Sequence, residues 1–477
     1  MVGGHYLTRM VVIAMRRLRA LAGPVVVCGA IAMLSAQASA AALPKAGSER
    51  IVVRFKHDVP ALQRAAAMRA AGVRPAAQSV GGAAIVRARP GVSPRAAVRR
   101  LRAQRAVAWS ERSLRAGPAE FVFNDSGVAT AAADAGWSDV QWSLTGEFGI
   151  RAPAAWTQAA QAGGEGGRGV VIAVLDSGVA YSDRRPYRRS PDLSPKRFVR
   201  GYDFIDRDPY ANDGFGHGTF VTSTIAATAN NGYGTVGIAY AARIMPLRVL
   251  DDTGTGDAAT IAQAIRFAVS RHADVVNLSL ELSDVLPDGR RIARSLASSS
   301  AIRAALRVAR SSGVFVVAAA GNRYSSDVPA RRYGFLTFDV GGTTEHGCLG
   351  NYSNHGAGLD MVAPGGGSDA PLLDDARCRP AEPPGRDISA VTFREGHPRG
   401  FLIPPEFRGT SMAAPHVSGV AALVLSAGVI GRHPPPSELA RRLMATARDL
   451  GAPGWDRVYG AGLLDGAAAT APDNPAT

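Results

Sequence analysis

Cysteine is scarce in this chain: Cys28, Cys348 and Cys378 are the only three in 477 residues, so at most one intramolecular disulfide can form. Aromatic residues make up only 6%, beside 46% hydrophobic and 19% charged residues, a globular composition whose 54 glycines and 30 prolines imply many turns and loops. No internal repeat is evident. The apolar run near the N-terminus, Ala20–Ser35, falls short of the ~20 residues that a membrane-spanning helix needs. The last three-quarters of the chain also lacks an excess of positive charge. Of the net +15, residues 1–40 hold four arginines and no acid, residues 41–116 contribute +13, and residues 117–477 stand at −2. A phosphate-binding role therefore has little support in the main part of the chain, and no nucleic-acid partner is expected.

What is present begins with an export signal. Arg16, Arg17 and Arg19 form a basic flank, Ala20–Ser35 an apolar core, and AQASA (Ala36–Ala40) a cleavage site of the A-x-A type. Residues 1–40 read as a signal peptide lost on secretion to an extracellular or periplasmic compartment, with no membrane association afterwards; a retained anchor is the alternative. Cys28 leaves with that segment. In an oxidising compartment Cys348 and Cys378 are expected to pair, two buried free thiols being the alternative.

Residues 41–116 read as a small α+β domain of order βαββαβ, with strands at Arg50–Phe55, Pro75–Val80, Gly82–Ala88 and Ala106–Trp109. Its second helix begins with Ser93 as N-cap and Pro94 just inside. Residues 117–141 are small, polar and without periodicity, as in an exposed linker open to proteolysis. From Trp142 to 470 apolar strands alternate with amphipathic helices, among them GVVIAVLD (Gly169–Asp176), ADVVNLSL (Ala273–Leu280) and VFVVAAAGN (Val314–Asn322). That alternation predicts a parallel sheet covered by helices on both faces. Residues 471–477 read as a tail.

Four polar residues stand where such a sheet puts its chemistry. Asp176 ends an apolar strand, at the carboxyl edge where α/β sheets build sites, and a buried charge there needs hydrogen-bonding partners. His217 lies between two glycines at the head of a helix. Asn322 ends another buried strand, where its amide N–H could face a developing oxyanion. Ser411 opens the helix of GTSMAAPHVSGVAALV (Gly409–Val424), where free N–H groups and the positive dipole end favour a nucleophile and its oxyanion. Pro415 is expected in the first turn, where a missing N–H breaks no internal bond. Singly, each residue has a plain structural reading. In sequence order, Asp176, His217, Asn322 and Ser411 follow one another at intervals of 41, 105 and 89 residues. Asp…His…Ser is the subtilisin order, whereas α/β-hydrolases run Ser…Asp…His.

Through the motifs VLDSG, GHGT, AAAGN and GTSMAAPHVSG, residues from about Trp142 to Ala469 resemble the subtilisin-like serine proteases. The resemblance implies a secreted serine endopeptidase made as a zymogen and acting on polypeptides. Asp176, His217 and Ser411 would be the triad and Asn322 an oxyanion donor. NLSL (Asn277–Leu280) would pair with substrate backbone, placing Ser279, Leu280 and Glu281 in the cleft. The basic domain would be the propeptide, an intramolecular inhibitor whose end near Ser110–Ala116 passes through the active site. A monomer is expected, with no cofactor for catalysis. Structural calcium is compatible with the resemblance: acid-rich DFIDRDPYANDG (Asp203–Gly214) and PLLDDARC could supply oxygens, though neither has defined ligand spacing.

Three departures stand out. Ser223 replaces a small Gly after GHGT. Glu281 replaces a Gly after NLSL and could favour basic substrate side chains, unless it is simply a solvated loop residue. Residues Gly365–Arg408 form a long insertion before the nucleophile that contains Cys378. The competing functions are a catalytically inactive binding protein of the same fold and a secreted serine esterase.

Overall fold

The computed structural model describes residues 50–80, 83–112, 123–128, 136–285, 291–294, 296–326, 328, 335–372, 378–380, 383–431 and 433–472. The export signal, Cys28 and the tail beyond 472 lie outside the described residues. The chain divides into two compact units, residues 1–118 and 119–477.

The first unit follows the expected order: β1 (Arg50–Phe55), α1 (Ala61–Ala70), β2 (Val73–Val80), β3 (Ala83–Ala88), α2 (Pro94–Arg102) and β4 (Val107–Arg112). Its antiparallel sheet runs β2-β3-β1-β4, a ferredoxin-like arrangement. Ile51, Val53, Val86, Ala97 and Leu101 close its core. Ser93 caps α2, accepting the Ala96 N–H at 3.2 Å. The last strand runs three residues beyond the expected end at Trp109. Ser110, Glu111 and Arg112 pair with Val53, Val52 and Ile51, and the buried Ser110 hydroxyl donates to the Val98 carbonyl. The start of the segment expected to thread an active site is therefore sheet; residues 113–116 lie outside the described residues.

In the second unit three short helices, α3 (Trp137–Val140), α4 (Trp142–Thr145) and α5 (Ala152–Gln161), lead into β5 (Val171–Asp176). There follow β6 (Tyr202–Asp203), α6 (His217–Ala226), β7 (Arg243–Arg248), α7 (Ala258–Ser270), β8 (Val275–Leu278), a hairpin of β9 (Leu282–Val285) and β10 (Arg291–Arg294), α8 (Ser300–Ser311) and β11 (Phe315–Ala319). The chain continues through β12 (Phe338–Thr343), β13 (Met361–Pro364), the hairpin β14 (Thr392–Phe393) and β15 (Phe401–Leu402), α9 (Thr410–Ala427), α10 (Pro436–Ala445) and α11 (Gly466–Thr470). Seven parallel strands form one sheet in the order β13-β12-β11-β8-β5-β7-β6. Every residue of β5 is buried, as a strand covered on both faces requires. One face packs on α5, α6 and α9, the other on α7 and α8. Helix α9 is apolar and long enough to cross a membrane, but here it is a buried core helix.

Part of the segment expected as an exposed linker is packed structure. Residues 113–122 and 129–135 lie outside the described residues, but 123–128 are built into the second unit. Phe123 is 6% exposed and packs edge-on against Trp156 and Tyr240, at centroid distances of 4.9 and 5.1 Å. The buried Asp125 carboxylate accepts the N–H groups of Asn230 and Asn231. Gly127 and Val128 exchange backbone bonds with Gly234. One aromatic ring and one buried acid, too few to make a periodic pattern, anchor this segment.

Candidate active site

Asp176 is the last residue of β5 and is fully buried. Its Oδ1 accepts the Ser177 N–H at 2.7 Å and meets His217 Nδ1 at 2.8 Å. A carboxylate only accepts, so this bond places the imidazole proton on Nδ1 and leaves Nε2 as the basic nitrogen. Burial alone would lower the His217 pKa. The charge and hydrogen bond of Asp176, with the charge of Asp213 behind them, more than reverse that and raise it above the ordinary 6.5. The flanking glycines are needed for approach: a Cβ on Gly218 would meet the Gly178 carbonyl oxygen at 2.1 Å and Asp176 Cβ at 3.0 Å.

Ser411 is the second residue of α9, so its N–H has no partner within the helix. Pro415 corrects the expectation from sequence: it lies in the second turn, where its missing N–H does break a bond, the one owed to the carbonyl of Ser411 four residues back. That carbonyl is satisfied from another strand end. The Ser279 hydroxyl, just past β8, donates to it at 2.8 Å. Ser279 Oγ in turn accepts from Asn277 Nδ2 at 2.9 Å, and Asn277 Oδ1 accepts from the Ser418 hydroxyl at 2.8 Å. All three side chains are buried. The Ser279 side chain, expected in the substrate cleft, thus holds the head of the helix that carries Ser411. On the same helix His416 is fully buried, with Nδ1 donating to the Met412 carbonyl at 2.8 Å, and burial pushes its pKa down to about 4.

Asn322 follows β11, and its side chain is oriented by a residue that sequence reasoning missed. Its Oδ1 accepts from both the backbone N–H and the hydroxyl of Thr410, at 2.8 and 2.9 Å. With the oxygen so held, Nδ2 is the group of this amide left to donate. The Thr410 hydroxyl also accepts the Gly321 N–H at 3.1 Å. Gly409 has φ +141°, and a Cβ there would stand 3.3 Å from the Asn322 amide, so a glycine is required. The signal for Thr410 was present in the motif as the residue before the serine.

Leu280 and Glu281 line a cleft of about 690 Å³ with Leu250, Gly254–Ala258, Leu282 and Ser299. Glu281 does not offer a lone charge there. Its carboxylate accepts from Arg323 Nε at 2.8 Å, and Oε2 lies 3.4 Å from the Asn322 N–H, so the charge weighed as a site for basic side chains has a partner within the chain. A second cleft, of about 890 Å³, opens at the amino ends of the strands, by Arg168, Asp274 and His433, away from the Asp176–His217 pair.

The insertion is tied in at several points. Cys348 and Cys378 form the expected disulfide, their Cα atoms 5.3 Å apart. The Ser223 hydroxyl donates to the Val391 carbonyl at 2.7 Å, so this departure has a partner in the insertion. Among the described residues no group of three or more His, Cys, Asp or Glu is placed to hold a metal ion. In the acid-rich loop, Asp203 and Asp206 accept from Arg248, and Asp213 accepts the N–H groups of Phe215, Gly216 and Thr219.

Residues 167–462 match the subtilase family, Peptidase_S8. Subtilisin Savinase of Lederbergia lenta is 32% identical over 335 residues, covering 69% of this chain and 98% of that protein. An alkaline protease of Shouchella clausii is 32% identical over 354 residues, 73% of each chain. Among solved structures, a protease from Pseudoalteromonas arctica PAMC 21717 superimposes with a TM-score of 0.52 at 30% identity, over 69% of this chain and 96% of that one.

Proposed function

Because the chain belongs to the subtilase family and is a subtilisin-like serine protease, we propose that Asp176, His217 and Ser411 are its catalytic triad and Asn322 its oxyanion donor. The observation that carries this reading is the 2.8 Å bond between the buried Asp176 carboxylate and His217 Nδ1, which leaves Nε2 free to act as a base. His217 Nε2 takes the hydroxyl proton as Ser411 Oγ attacks the scissile carbonyl. The oxyanion draws on Asn322 Nδ2 and the Ser411 N–H. Collapse of the tetrahedral intermediate breaks the C–N bond, and His217 passes its proton to the leaving amine. Water, deprotonated by the same imidazole, then releases the acyl-enzyme. The backbone at Ser279–Glu281 is proposed to lie along the polypeptide substrate.

The signal-like first 40 residues support secretion. The separate basic unit, residues 1–118, supports manufacture as a zymogen, with that unit as the inhibitor. Expression of the full chain and of Ser411→Ala tests both parts. The wild type is expected to shed its first unit and degrade casein; the variant is expected to keep the unit and leave casein intact. Self-processing by Ser411→Ala would refute the triad, and ester hydrolysis without casein cleavage would favour an esterase. In the wild type, kcat/KM is expected to fall as pH drops through a value above 6.5, because a protonated His217 cannot accept the serine proton.

A further inference from the structure

The residue before His217 is gripped from two sides. Gly216 has φ +101°, a left-handed conformation that favours glycine, and a Cβ there would meet the Phe393 carbonyl oxygen at 2.7 Å. Its N–H donates to Asp213 Oδ1 at 2.8 Å. Its carbonyl accepts a long bond from the Phe220 N–H at 3.2 Å, the first turn of α6, and a short one from the Thr392 hydroxyl at 2.5 Å. Asp213 lies in the loop just before the histidine. Thr392 is 176 residues away, in the insertion.

The same stretch is fastened to α6 twice more. The Ser223 hydroxyl holds the Val391 carbonyl at 2.7 Å. Phe407, near the end of the insertion, stacks on Phe220 with centroids 4.1 Å apart and planes 5° from parallel. Phe220, Ser223, Val391 and Thr392 are all fully buried. Two departures of this chain, the insertion and Ser223, are therefore one feature seen from its two ends.

We propose that Val391–Phe393 is a positioning clamp for His217, with the Thr392 hydroxyl as the group that holds the Gly216 carbonyl. The proposal rests on His217 being the catalytic base. Its physical content is orientation: the imidazole hangs from a peptide whose carbonyl direction is set by Thr392, and small errors in the placement of a catalytic group cost rate without affecting substrate binding. Without the hydroxyl the carbonyl keeps only its long bond to Phe220, and the peptide is free to tilt.

Thr392→Val keeps the shape and deletes the donor. The expected result is a fall in kcat of about tenfold with KM unchanged, and recovery in Thr392→Ser, which restores a hydroxyl. The low-field proton resonance of His217 Nδ1–H is expected to shift in the valine variant and return in the serine variant. Ser223→Ala, which loosens the neighbouring tie while leaving Thr392 in place, is expected to cause a smaller fall in kcat and provides a second variant should Thr392→Val fold poorly. A Thr392→Val enzyme with unchanged kcat and resonance, whatever its melting temperature, overturns the clamp, as does an undiminished Ser223→Ala kcat if the valine variant does not fold. Failure of the underlying reading looks different: His217→Ala would then retain wild-type hydrolysis.

Discussion

At the scale of single residues, one proline accounts for an otherwise puzzling serine. Pro415 deprives the Ser411 carbonyl of its helical partner, and the Ser279 hydroxyl replaces it. Ser279→Ala would leave a buried carbonyl unpaired, at a cost of about 1–3 kcal/mol. In that background Pro415→Ala restores an N–H at the right place in the helix. The pair is therefore expected to be strongly non-additive: Ser279→Ala alone lowers the thermal midpoint and kcat, and adding Pro415→Ala recovers much of both. Strictly additive midpoints would show that the two residues do not share that carbonyl. The proline and the serine were each legible in the sequence. Their relation was not, because it depends on β8 and the head of α9 meeting in space.

Among elements, the insertion carries the chain's individuality. Cys348, just beyond β12, and Cys378 within the insertion close a loop across a separation of 30 residues. Replacing both cysteines by serine is expected to remove about 2–4 kcal/mol of stability, read as a lower unfolding midpoint. The Asp176–His217 bond lies on other elements, so casein hydrolysis at 25 °C is expected to continue in that variant. Strands β5, β7, β8 and β11 of the large sheet were readable as short apolar runs, unlike β6, β12 and β13, and α7 as a helix opened by Asp257, whose carboxylate caps the N–H groups of Ala259 and Thr260. The hairpin of β14 and β15 was not, since two-residue strands leave no periodic trace.

Across the whole molecule, the proposed site is a property of one edge of the sheet. Asp176, Ser279 and Asn322 all stand at or just beyond the carboxyl ends of parallel strands, the edge where α/β sheets collect chemistry from distant parts of the chain. The boundary between the two units is the other whole-molecule feature. Phe123 belongs to the second unit's core, so Phe123→Ala is expected to cost that unit about 3–5 kcal/mol. The mature form of the proposed zymogen is expected to begin at or before Phe123. An active mature form beginning after Gly136, identified by intact mass, would contradict that boundary.

The order of motifs, the alternation of strands and helices and the small βαββαβ unit were determined by the sequence alone; for Cys348 and Cys378 it left two free thiols open beside the pairing, and the structure decided it. The first three rest on local periodicity and on turn and capping chemistry. The tertiary structure alone decided the pairings: Glu281 with Arg323, Ser279 with the Ser411 carbonyl, Thr392 with Gly216, and Phe123 with Trp156. Those partners lie far apart along the chain. No local pattern records such a contact, because it comes into being only when the strands assemble into the sheet and carry their ends to a common edge.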